Sequence, residues 1–266
     1  MKQNVYSTII SLFIFCVTTA NATTATLSEP GTGVSAKKED TAAVQQLLKQ
    51  AADFLYSDSA KTILYCKRAI DLSDRIGYTY GTMRGLVYLG DVYYQSGLYG
   101  ASYSSFMAAQ KVGNTHSDKR GFSYFYNDLG LFYNSIQQYD SALTCFHNSL
   151  AYIADTSITG LCQAYLNIGV TYGAAGDIDK AADYLNKALL MAEEKQLSQD
   201  LAFIYMNLGN AYADARHSQL QKAADYFKKA LISAGKTGNT YVQCLMYASL
   251  GDICNRQQQF NLALAY

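Results

Sequence analysis

From Thr41 onward, large apolar residues return every three or four positions, the period of a helix with one buried face, and no alternating strand pattern lasts more than a few residues. The chain reads as all-helical. Within that stripe a glycine follows a large aliphatic residue at Leu89-Gly90, Leu129-Gly130, Ile168-Gly169, Leu208-Gly209 and Leu250-Gly251, at steps of about 40 residues. Glycine inside a helix costs about 1 kcal/mol relative to alanine. Its recurrence in register therefore predicts a neighbouring helix packed where a side chain would not fit, and a repeat of this length predicts a stacked array of helix pairs.

Each unit opens with a helix carrying four residues on one face: Leu86, Leu89, Gly90 and Tyr93, then Tyr126, Leu129, Gly130 and Tyr133. Tyr165, Ile168, Gly169 and Tyr172 follow, then Tyr205, Leu208, Gly209 and Tyr212, and last Tyr247, Leu250, Gly251 and Cys254. A turn holds Gly97, Gln137, Gly176 or Gln258. The second helix begins with Tyr99, Tyr139, Ile178, Leu220 or Phe260 as a packing residue. Its inner face is small, large, small: Ser102-Phe106-Ala109, Ala142-Phe146-Ser149, Ala181-Leu185-Ala188 and Ala223-Phe227-Ala230. A weaker unit precedes these, with Val44, Leu47, Leu48, Ala51 and Leu55 followed by Thr62-Cys66-Ala69. Second helices are expected to stop near Gly77, Gly113 or Gly235.

This order, L-G-x-x-Y, then G-x-Y, then A-x-x-x-F-x-x-A, resembles the tetratricopeptide repeat family over residues 41–266. The resemblance implies an all-α, right-handed solenoid of antiparallel helix pairs, in about six repeats with the first weak and the last incomplete. The family's usual unit is 34 residues, its early tryptophan is replaced here by Leu86, Tyr126, Tyr165, Tyr205 and Tyr247, and the proline after the second helix is missing.

The first 22 residues differ from the rest. Lys2, an apolar run from Tyr6 to Val17 and the small-x-small Ala20-Asn21-Ala22 have the order of a secretory signal peptide. Residues 23–40, rich in Thr, Ser and Gly and holding Pro30, read as a flexible spacer. The protein is thus expected to be exported, periplasmic or otherwise extracytoplasmic. Lys plus Arg equals Asp plus Glu at 21 each, with basic pairs scattered along the chain, so no charge field points to nucleic acid. Cys66, Cys145, Cys162, Cys244 and Cys254 form no disulfide framework and read mainly as small buried hydrophobes.

Support for catalysis or a cofactor is thin. His116, His147 and His217 lack partners at metal-ligand spacing, and no phosphate-binding glycine loop is present. Asp177, Asp179 and Asp183 lack the ligand run of a calcium loop, and Asp177 and Asp179 suit a helix start. A binding surface remains. In a helix-pair solenoid the first helix of each unit lines the concave side, and positions off its packing stripe face the groove. These include Arg84, Asp91 and Tyr94; Tyr124, Asn127 and Asn134; Gln163, Leu166 and Val170; Phe203, Met206 and Asn210; and Asp252 and Asn255. The asparagines can pair with a peptide backbone, while Phe203, Met206, Leu166 and Val170 offer an apolar pocket. The expected role is a non-catalytic scaffold for a protein or peptide. The resemblance also suggests the sensory part of a longer membrane-spanning regulator, tethered through a segment beyond Tyr266 and ending in a helix-turn-helix or histidine-kinase output.

Overall fold

A computed structural model describes residues 35–116, 119–153, 157–214, 219–263 and 265. The signal segment and most of the spacer lie outside the described residues, as do His217, Leu264 and Tyr266. Two compact units divide the chain, one ending at Ile153 and the other beginning at Ala154. The N-terminal unit holds α1 (Ser35–Phe54), α2 (Ser59–Ile76), α3 (Thr79–Gln95), α4 (Tyr99–His116), α5 (Lys119–Ser135) and α6 (Tyr139–Tyr152). The C-terminal unit holds α7 (Ile158–Ala175), α8 (Ile178–Glu194), α9 (Ser198–Ala213), α10 (Leu220–Thr237), α11 (Thr240–Arg256) and the short α12 (Phe260–Ala263). The described residues form helices and turns with no strand, and none of the helices is long and apolar enough to cross a membrane. Within each unit, successive helices pair as hairpins and first helices pack on the next first helix: α3 on α5, α7 on α9, α9 on α11.

The recurrent glycines set those hairpins. A Cβ added to Gly90 would stand 2.9 Å from the Phe106 ring, one on Gly130 2.7 Å from Phe146, and one on Gly169 2.8 Å from Leu185. At Gly209 it would overlap the Phe227 ring. In each case the ring or branch belongs to the large residue of the predicted small-large-small face. Ser102, Phe106, Ala109, Ala142, Phe146, Ala181, Leu185, Ala188, Ala223, Phe227 and Ala230 are all buried, and the first unit's Thr62, Cys66 and Ala69 are buried in the same way.

Local chemistry starts and stops the helices. Asp58, Asp177 and Asn239 accept hydrogen bonds from the backbone amides of Lys61, Lys180 and Val242, satisfying free donors of the first turn. Asp177 therefore caps α8, and Asp179 sits in its first turn. The turns between hairpin helices reach positive φ at Gly97, Gln137, Gly176 and Gln258.

Four expectations are corrected here. Helix α1 begins at Ser35, inside the expected spacer and before Thr41. Gly113 does not end α4: it is buried in the helix interior, where a Cβ would press on Met83 and Phe122. Gly235 lies within α10, which is capped by Gly238 in the left-handed region. Tyr99, expected as a packing residue, is 56% exposed. Among the cysteines, Cys66, Cys145, Cys162 and Cys254 are buried free thiols, while Cys244 is exposed.

In the C-terminal unit, tyrosine columns tie first helices to second. Tyr172 stacks on Tyr184 at 5.6 Å, and Tyr212 stacks on Tyr226 at 5.5 Å. Lysines lie over these rings, Lys187 at 4.5 Å from Tyr184 and Lys222 at 3.8 Å from Tyr212. Each ammonium thus sits against the electron-rich face of a ring, a cation–π contact.

Candidate binding face

The face of α3 presented to α5 carries Tyr80, Arg84, Tyr88 and Asp91 at helical spacing. Arg84 is nearly buried, with 12% of its side chain exposed, and its Nη1 donates to Asp128 Oδ2 across the seam at 3.0 Å. Its Nη2 donates to the Tyr88 hydroxyl at 2.7 Å. The guanidinium lies 4.5 Å from the centres of both the Tyr88 and Tyr124 rings. Asn127 Nδ2 donates to Asp128 Oδ1 at 2.9 Å, and Tyr80 meets Tyr124 edge-on at 6.0 Å. Tyr124 keeps 47% of its surface exposed, so the cluster opens to solvent through an aromatic ring.

The electrostatics follow from one cation among two carboxylates. Burial opposes the charge of Arg84, but Tyr88, Asp128, Tyr80 and Tyr124 hold the guanidinium protonated. Burial raises the Asp128 carboxyl above the usual range, against the pull of Arg84 and the Asn127 hydrogen bond. Asp91, half-buried one turn beyond Tyr88, is raised by desolvation and then by Asp128, with Arg84 opposing. Behind it on α2, burial and then Asp91 push the Cys66 thiol up to about 12, so that thiol stays neutral.

Of the residues expected to face a groove, the structure brings Arg84, Asp91, Tyr124 and Asn127 into this cluster. Tyr94 lies elsewhere on α3, against Tyr99 and Phe132. Gln163 and Val170 are half-buried, and Asn210, Asp252 and Asn255 are exposed. Asn134, Leu166, Phe203 and Met206 correct the expectation: all four are buried. Phe203, Met206 and Leu166 therefore build core rather than line an open groove.

The sequence reading missed Asp128, Tyr88 and Tyr80. A signal for two of them exists. The residue just before each Leu/Ile-Gly pair is polar throughout, Tyr88, Asp128, Asn167, Asn207 and Ser249, a column too regular for a purely apolar seam. In the C-terminal unit this column makes bonds within its own helices. Gln163 Nε2 donates to Asn167 Oδ1 at 3.4 Å within α7, and Asn207 Nδ2 donates to the Phe203 carbonyl at 2.8 Å within α9.

Stacked helix hairpins with a glycine under each large second-helix residue define a helical-repeat interaction protein. The repeat is the tetratricopeptide repeat, whose family description matches residues 123–194 and 160–234. No curated protein matches the chain. Among solved structures, BtubC (BKLC) from P. vanneervenii is similar with a TM-score of 0.61 at 16% identity, over 87% of this chain and 88% of that one. The apo form of RapI gives a TM-score of 0.63 at 16% identity, over 69% and 67% of the two chains. A signal transduction ATPase with numerous domains and a tetratricopeptide repeat sensor, from Pyrococcus horikoshii, gives 0.69 at 16% identity, over 86% of this chain and 37% of that one. At such identity these likenesses speak for the fold.

Proposed function

We propose that this chain is a non-catalytic, extracytoplasmic scaffold that holds a protein or peptide segment along the first helices of its hairpins. The observation that carries this is the N-terminal cluster, where exposed Tyr124 lies over Arg84 beside half-buried Asn127 and Asp91. An aromatic anchor rimmed by polar groups is the usual composition of a binding hot spot. Export rests on the charge, apolar run and small-x-small order of the first 22 residues. The purified chain is to be screened against a displayed random-peptide library. Tyr124→Ala with Asn127→Ala is expected to abolish capture at unchanged helicity; retained capture removes this face from the role. A fusion to alkaline phosphatase, active only outside the cytoplasm, tests the location, and an inactive fusion at normal expression overturns it.

A second role, as the sensory part of a longer regulator, is favoured by the Pyrococcus horikoshii neighbour, in which the repeats are described as a sensor and the matched region is 37% of the chain. Continuation of the reading frame past Tyr266 into an apolar span of roughly 20 residues supports it. A stop codon there removes it.

A further inference from the structure

We propose that the seam between α3 and α5 is a proton-operated joint, in which uptake of one proton from solvent by the Asp91 and Asp128 carboxylates clamps the two hairpins and its release loosens them. The geometry sets up a charge imbalance. Arg84 is already engaged: one nitrogen donates to Asp128 and one to the Tyr88 hydroxyl, and the guanidinium lies 4.5 Å from the centres of the Tyr88 and Tyr124 rings. It balances one carboxylate. The second, Asp91, makes no hydrogen bond or ion pair among the described residues, and Asp128 acts on it as a like charge. Among the described residues no further cation acts on it. From α2 it faces Cys66, which is neutral, from α3 itself Arg84 and Tyr88, and from α5 Asp128; no charged side chain of α1 or α4 acts on it.

With both carboxylates ionised, the seam holds one uncompensated negative charge at an interface between two hairpins, where a low effective dielectric makes it costly. With one protonated, the charges cancel across α3 and α5. Both carboxyls are raised in the folded state, so folding favours the protonated form. The stabilisation is therefore complete below the ordinary aspartate range, near pH 3.9, and is lost as pH rises through the folded-state values. Two carboxyls this strongly linked titrate as a pair, and the proton belongs to both. The seam is thus tighter in mild acid than at slightly alkaline pH. Asp91 on α3 and Tyr124 and Asn127 on α5 stand on opposite sides of it, so the joint also sets their spacing; any effect on ligand grip rests on the binding role proposed above.

Amide hydrogen exchange of the full chain at pH 5.5 and 8.0, corrected for intrinsic rates, tests the joint without any ligand. Protection in α3 and α5 is expected to fall at the higher pH, by about tenfold for each unit by which the midpoint of the pair lies above pH 5.5. In Asp91→Asn, protection is expected to be equal at both values. Protection independent of pH in the unaltered chain, or a pH effect that survives in Asp91→Asn, overturns the joint. Should Asp91→Asn lose its helical circular dichroism, carbon-13 titration of the aspartate carboxyls in the unaltered chain decides: a first midpoint above the ordinary range for the pair upholds it, and midpoints at or below that range for both overturn it. Peptide capture lost in these samples while the exchange pattern holds would count against the binding role alone.

Discussion

In the N-terminal unit the polar column of the first helices reaches across, with Arg84 on α3 bonded to Asp128 on α5. In the C-terminal unit Gln163 and Asn207, at matching places, bond within their own helices, and Leu166, Phe203 and Met206 on the same two helices are buried. The α3–α5 seam thus adds a buried ion pair to the apolar packing of Met83, Val87, Phe125 and Leu129, whereas the matching places of the C-terminal unit carry local bonds beside buried hydrocarbon. A charged joint depends on a partner remaining in place and on protonation; an apolar joint depends on shape.

Removing the partner should separate the two units most sharply. Arg84→Met leaves Asp128 buried without its cation, which costs about 3–5 kcal/mol, whereas Gln163→Met gives up one local hydrogen bond, a loss of about 1 kcal/mol or less. Urea unfolding followed by circular dichroism compares them, and equal losses would erase the distinction. The C-terminal unit has its own titrating acid. Asp200, buried in the first turn of α9, is raised by burial from 3.8 to about 6. Its folded-state value lies above its unfolded one, so it stabilises below pH 4 and that contribution is lost as pH rises through about 6. Asp200→Asn should then gain up to about 3 kcal/mol at pH 8 and nothing at pH 4, measured as a change in melting temperature with pH. A gain that is the same at both values would assign it to something other than ionisation.

Shape dependence is tested at glycines. Gly209→Ala drives a methyl into the Phe227 ring and should cost about 2 kcal/mol, since overpacking outweighs the better helix propensity. Gly100→Ala in α4, where an added Cβ meets nothing within 4 Å, should instead gain about 0.5–1 kcal/mol. Thermal melts of the two variants moving in the same direction would contradict the packing role. The smallest effect is expected at the turns. Gln137 holds φ of 63° where the equivalent turns use Gly97 and Gly176, so Gln137→Gly should stabilise the α5–α6 hairpin by about 0.5–1 kcal/mol.

Much of this architecture was legible because its cause is local. The Leu/Ile-Gly pairs and the small-large-small faces encode which side of each helix meets its hairpin partner, and the packing of Gly90, Gly130, Gly169 and Gly209 follows directly. Periodicity fixes direction around one helix. It does not say how much of that helix the next hairpin covers, which is why Phe203, Met206 and Leu166 were expected at a groove and lie in the core. The Arg84–Asp128 bridge joins residues 44 positions apart, and a single charge in a polar column does not announce its partner. Gly113 misled for a related reason: glycine marks both helix ends and close approaches, and only the positions of Met83 and Phe122 separate the two.

The stacked phenol columns of the C-terminal unit carry a practical consequence. The chain has 24 tyrosines and no tryptophan, so its near-ultraviolet optical activity comes chiefly from these rings, and Tyr172 with Tyr184 and Tyr212 with Tyr226 form close-coupled chromophore dimers. Each dimer spans one first helix and its own second helix. Part of the near-ultraviolet tyrosine dichroism therefore reports hairpin closure without a label.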